Sequence, residues 1–402
     1  MSSSHPLHLG VALEGAGWHP AAWREPSSRP DELFTSGYWA DLVRTAERGD
    51  LDFVTVEDAL ALQSSRFLTG DERTDEVRGR LDAVLIASRV APLTSRIGLI
   101  PVATVTHTEP FHVSKAIATL DYVSEGRAGV QVKVSGRVDE AAHVGRRTHP
   151  GDVALDDPAV QAFIQDAFDE AADVVEVVRR LWDSWEDDAE IRDVETDRFL
   201  DADKVHAIDF EGRFFSVRGP SITPRPPQGQ PVVAALAHAA VPYRLAARSA
   251  DVVFVTPADA VHARAILEEV RAAERVVERE GEPLRVIADL VVLLDADGGE
   301  TGEDRRRRLD ALGRPLVSDA RIVTGPASTV ADVIDDLVAA GYAGVRLRPG
   351  VATDDLARIV DDLVPELRRR GARTAVAPEG TSLRGRLGLP EGLPSRYATP
   401  VA

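Results

Sequence analysis

The chain has 402 residues, 44% hydrophobic and 28% charged, and its 47 basic and 66 acidic side chains leave a formal net charge of −19. That acidity repels nucleic acid and anionic lipid, so neither is expected as a partner. The absence of cysteine excludes disulfides, thiolate nucleophiles and cysteine-ligated metals.

Strand-like and helix-like runs alternate from end to end. Residues Leu7–Leu13 read as a strand, Tyr38–Arg48 as a helix and Asp52–Val56 as the second strand. A helix over Leu81–Ala91, a strand over Ile97–Val105, a helix over Val113–Tyr122 and a strand over Ala128–Val134 follow. From about Val160 to Trp185, apolar residues recur at three- and four-residue steps, the stripe of an amphipathic helix. The pattern resumes with strands at Pro231–Leu236, Asp251–Thr256, Val286–Leu294 and Gly344–Leu347, separated by helices at Val241–Arg248, Ala260–Glu280 and Val330–Ala340. Eight continuously apolar strands joined by helical crossovers imply an α/β fold, a (β/α)8 TIM barrel, as a single domain over 1–402. Residues 136–230 are too long for one crossover and are expected to form an insertion over the barrel mouth. Residues 372–402, rich in Pro, Gly and Arg, are expected to form a C-terminal surface tail. No apolar run reaches ~18 residues, so no bilayer span is expected. The N-terminus MSSSHPLHLG lacks the pattern of a secretory signal, so a cytoplasmic location is expected.

Such a barrel places its site at the C-terminal ends of its strands. The residues there include His19 after the first strand, Asp58 after the second, and Thr104 and His107 after the third. Gln131, Ser135 and His143 follow on the fourth, His238 on the fifth and Arg346 on the eighth. Thr, Gln, Ser and His together suit a neutral, hydrogen-bonding ring system. Each also has a plain structural use, as a helix cap, a loop carboxylate or a satisfied core histidine. No dinucleotide fingerprint follows a strand, no P-loop, H-E-x-x-H or G-x-S-x-G is present, and His and carboxylate residues are too scattered for a metal site to be expected.

Several segments together resemble one family. HPAAWRE (His19–Glu25), SGYWADLVRTAERGDLDFVTVEDAL (Ser36–Leu60) and TSRIGLIPVATVTHTEPFHVSKAIATLDYVSEGRAG (Thr94–Gly129) are the most recognisable. EVVRRLWDSWEDDA, FEGRFFSVRGP, PRPPQGQPVV and LRGRLGLPEGLPSRYA follow in order. The chain resembles the bacterial luciferase-like flavin monooxygenases, in the branch of nitrilotriacetate monooxygenase component A. The resemblance implies a (β/α)8 barrel and a monooxygenase that uses reduced FMN and O2 to oxygenate a small organic substrate. It also implies a separate NAD(P)H:flavin reductase as partner and a homo-oligomer. Asp58 and Thr104 match positions where the family contacts the flavin, and Gln131 and Ser135 fall on its fourth-strand motif. Phe168 falls on an aromatic position of the long helix. His19, His107, His143 and Arg346 are expected in the substrate space, and no catalytic base is assigned. The phosphate-holding turn departs from the family: its serine falls on Ala239 and its last glycine on Pro242, leaving His238, Arg137, Arg146 and Arg147 as substitute donors. The alternatives are an F420-dependent oxidoreductase of the same superfamily and a non-catalytic relative that has lost its cofactor.

Overall fold

Eight strands form one closed ring in a computed structural model that describes residues 7–66, 69–145, 156–296, 298–372 and 378–398. They are β1 (His8–Leu13), β2 (Phe53–Val56), β3 (Gly98–Thr104), β4 (Gly129–Lys133), β5 (Val232–Leu236), β6 (Val252–Val255), β7 (Arg285–Leu294) and β8 (Gly344–Pro349). Each pairs in parallel with the next. The pairing of β8 with β1, Gly10 opposite Arg346, closes the barrel. The apolar runs therefore located all eight within two residues. A further strand, Arg321–Gly325, pairs with the second half of β7, beyond the half that pairs with β6.

Helices α1 (Ser36–Arg48), α2 (Ala83–Val90) and α3 (Pro110–Val123) cover the first crossovers. After β4 come α4 (Val138–Val144) and the 26-residue α5 (Pro158–Asp183), then α6 (Ala240–Ser249), α7 (Ala260–Val276), α8 (Gly302–Asp310), α9 (Ala327–Ala340) and α10 (Ala352–Arg358). The largest apolar cluster lies between strands and helices and includes Leu9, Val11, Val54, Leu99, Val130 and Trp182. A second fills the lower barrel with Phe53, Ile100, Val232, Val252, Phe254 and Ile287.

Two expectations about the additions need correction. Most of 136–230 is not a cover over the mouth. Helix α5 packs between α3 and α6 as an ordinary member of the outer ring. The hairpin Phe210–Glu211/Ser216–Val217 packs on its outer side, where Ile208 and Phe210 meet Val177 and Leu181. Among the described residues of the segment, the loop 134–137 and α4 are the part that stands at the mouth. Arg146 and Arg147 lie outside the described residues.

The C-terminal segment is a plug as much as a surface tail. Leu383, Leu387 and Leu389 are buried with Phe53 and Phe254 at the N-terminal ends of the strands. Glycines admit it: a Cβ built on Gly98 would stand 2.3 Å from Leu383 Cδ1, and one on Gly129 3.2 Å from Leu383 Cδ2.

Candidate active site at the barrel mouth

The two-residue period of a strand sends alternate side chains into the barrel. On β2 the inward set is Phe53, Thr55 and then Glu57; on β4 it includes Gln131 and Lys133; on β8 it is Arg346 and Arg348. Above the lower apolar layer these residues form a polar one.

Its centre is Asp289 of β7, fully buried. Arg346 Nε donates to Asp289 Oδ1 (2.7 Å) and its Nη2 to Oδ2 (2.5 Å). Arg346 Nη1 donates to Gln131 Oε1 (2.6 Å) and Thr55 Oγ1 (3.2 Å), and the guanidinium lies 3.8 Å from the Phe254 ring centroid. Arg348 Nε also donates to Asp289 (3.0 Å), while its Nη1 donates to Asp319 Oδ1 (2.7 Å). The Arg348 guanidinium sits 4.5 Å from the Trp18 ring centroid. Two arginines sharing one carboxylate are tolerated at this depth because each guanidinium nitrogen finds an oxygen.

This geometry reassigns several expected ligand contacts. Arg346 is fully buried and bound on every side, so it is part of the barrel's interior. Gln131 is its partner and lies in the same layer. Asp58 turns away from the barrel: Oδ1 accepts the N–H of Ala59 (2.7 Å) and Oδ2 that of Ala83, the first residue of α2 (2.9 Å). Burial raises its pKa against the pull of those two N–H groups. His19 is a latch. Its Nδ1 accepts the Ala21 N–H (3.0 Å), which leaves Nε2 to donate to Asp310 Oδ1 (3.0 Å) and ties the loop after β1 to the end of α8. Burial lowers its pKa, opposed by Asp310.

Other expected residues follow the ends of their strands or lie on the helices beyond them. Thr104, last on β3, is buried, and its Oγ1 has no hydrogen-bond partner. Ser135 is held by the Thr106 hydroxyl, which accepts its N–H (3.0 Å), and its own Oγ accepts the Arg137 N–H (3.2 Å). His107 is buried in a left-handed conformation, φ 75°. His238 Nδ1 lies 3.0 Å from Thr256 Oγ1 and Nε2 3.5 Å from Asp319. Ala239 is exposed and begins α6 with no side-chain cap. His143 is exposed on α4, and Phe168 is half-buried on α5 against the main core.

The inward-pointing groups bring residues that the strand-end reading passed over. Lys133 Nζ donates to the Asp58 carbonyl (2.8 Å). Glu14, Glu57, Gln63 and Arg80 line a crevice between the ends of β1 and β2, walled by Trp39 and Val77. Burial raises the Glu14 pKa, with Arg80 opposing at 3.2 Å. Asp289 carried a readable signal, a lone carboxylate at an inward position of an apolar strand; Asp319 and Asp310 carried none. Among the described residues no group of three or more His, Asp or Glu side chains is set to hold a metal ion, and no helix is long and apolar enough to cross a membrane.

A flavin fits this rim in two places. The unpartnered Thr104 hydroxyl offers a hydrogen bond to a ring. The uncapped start of α6 offers free N–H groups to a phosphate, and Pro242 sits at its third position, within the first turn, where a missing N–H breaks no helical bond.

Residues 16–314 match the model of the luciferase-like monooxygenases. The chain is 32% identical over 316 residues to the N-acetyl-S-(2-succino)cysteine monooxygenase of Bacillus subtilis, covering 79% of this chain and 67% of that protein. It is 29% identical over 456 residues to nitrilotriacetate monooxygenase component A of Aminobacter aminovorans, covering 97% and 98%. The structure of EDTA monooxygenase from Chelativorans sp. BNC1 superposes with a TM-score of 0.78 at 21% identity, over 96% of this chain and 99% of that one, and shares the fold. Matched over most of its length, the chain belongs to the luciferase-like monooxygenase family, as an oxidoreductase built on a closed eight-stranded parallel barrel.

Proposed function

We propose that this protein, acting as one barrel domain over 1–402, is a monooxygenase that uses reduced FMN and O2 to oxygenate a small organic substrate at the C-terminal mouth of the barrel. The observation that carries the reading is the Thr104 hydroxyl, buried at the rim with no partner of its own. A buried hydroxyl left unpaired is costly, and a ring nitrogen or carbonyl would complete it. The flavin, when bound, supplies the electrons and the site of O2 chemistry.

The chain's own residues bind, orient and exclude water. Thr104 holds the ring; the start of α6, with His238 beside it, faces the phosphate. The Asp289–Arg346–Arg348 layer forms a rigid floor, because each of its members is fixed by another. Trp18, half-buried over Arg348, covers that floor with an aromatic ring and keeps water from it. Asp58 acts one step back, by fixing the start of α2.

Equilibrium titration with FMN, its reduced form and F420, read by fluorescence, tests the proposal. Reduced FMN is expected to bind most tightly. Thr104→Val removes the hydroxyl at nearly constant volume and is expected to weaken that binding about 5- to 10-fold. Tighter binding of F420, or unchanged affinity in the variant, would overturn the assignment.

A further inference from the structure

The cations at the barrel mouth are committed, whereas two acceptors there are not. Arg346 is taken by Asp289, Gln131 and Thr55, and Arg348 by Asp289 and Asp319. Lys133 is taken by the Asp58 carbonyl and Arg80 by Glu14, although Arg80 keeps one buried N–H, at Nε, without a partner. Glu140, on the first turn of α4, is 0% exposed, and neither of its carboxylate oxygens has a hydrogen-bond partner. The cation beside it is Arg137, whose Nε is 3.9 Å away and turned elsewhere. Arg137 instead grips Asp139 at two points, 2.9 and 2.5 Å. Glu57 repeats the pattern: its Oε1 is buried without a hydrogen bond, 3.7 Å from Arg346 Nη1.

A buried carboxylate without a donor is among the least favourable groups a fold can hold. The backbone around Glu140 is held by a chain of hydrogen bonds. The Thr106 hydroxyl fixes the Ser135 N–H, the Ser135 hydroxyl fixes the Arg137 N–H, and the Arg137 carbonyl receives the Ala141 N–H (3.1 Å).

We propose that Glu140 is a specificity-determining residue that receives a positively charged N–H donor, an organic ammonium, carried by the substrate. This rests on the substrate being bound at the mouth, as in the function proposed above. A ligand that offers only carboxylates would find the cations named above already matched, except for one Arg80 N–H. An ammonium supplies both the charge and the donors that the Glu140 carboxylate lacks.

The test compares thermal unfolding of the wild type and Glu140→Gln in n-butylammonium chloride, sodium butyrate and sodium chloride at equal ionic strength. Butylammonium is expected to raise the wild-type Tm by about 2 °C or more above the sodium chloride control. Butyrate should give no such rise, and the ammonium effect should vanish in Glu140→Gln. Without any ligand the variant should melt higher than the wild type, because it no longer buries an unmatched charge. A butyrate effect equal to that of butylammonium, an ammonium effect that survives the substitution, or a variant that melts lower would each overturn the proposal. No flavin is present in this experiment, so its failure leaves the FMN titration standing, and a failed FMN titration leaves this result standing.

Discussion

Asp289 holds two buried guanidinium groups with one carboxylate, and it is the one acid that hydrogen-bonds both of them. Asp289→Ala leaves Arg346 and Arg348 facing each other across an emptied position. A loss of about 3–5 kcal/mol in stability is expected, read by urea denaturation, because removing one partner of a buried pair strands the other. His19 makes a prediction about pH. Burial holds its pKa below the ordinary 6.5. The unfolded chain therefore takes up a proton near that value which the folded chain refuses until lower pH, so acidification favours unfolding. Burial also pushes the carboxyls of Asp121 and Asp355 up to about 6, and their contribution has the opposite sign, growing as pH falls through that value. The imidazole effect is isolated by difference: from pH 7 to 5.5 the wild type should lose more Tm than His19→Gln. Equal slopes would show that His19 is not the titrating latch. At this scale the sequence named Thr104, Gln131, His19 and Arg346 as candidate ligand contacts, and the structure gives the last three partners within the protein. Residue type reveals that a group can hydrogen-bond; which neighbour claims the bond is decided by strands far apart in the chain.

Elements divide by whether they carry an apolar period. Every barrel strand does, because both its faces are covered. Helix α8, Gly302–Asp310, does not: its sequence GEDRRRRLD has one buried apolar residue, Leu309. It is built on the Thr301 cap and on ion pairs such as Arg306–Glu303 and Arg308–Glu25, which leave no periodic trace. The C-terminal segment misled for the reverse reason. Its Gly, Pro and Arg content suits a surface strap, but three leucines spaced along it fill the lower barrel. Leu383 is fully buried there. Leu383→Ala is expected to cost about 2–5 kcal/mol, measured in the same urea experiment. A change below about 0.5 kcal/mol, the range of ordinary surface substitutions, would show that the segment only lies against the barrel.

At the scale of the whole molecule, the chain is a barrel whose ring is closed by β8 on β1. No strand-to-helix turn in it carries the glycine fingerprint of a nicotinamide site. In the reaction proposed above, reduced flavin is then expected from a separate reductase. NADPH and FMN with this protein alone should give no O2 uptake beyond the protein-free rate, and adding a separate flavin reductase should give uptake that rises with substrate. Uptake without the reductase would place flavin reduction on this chain. The sequence by itself determined the eight strands, their parallel order and the end of the barrel where the proposed site lies, because each follows from apolar runs and the handedness of short crossovers. Only the tertiary structure decided which polar side chains are spent on one another and which remain open. That depends on closure: it brings Asp289 to Arg346 and Arg348 and leaves Thr104 and Glu140 buried without partners.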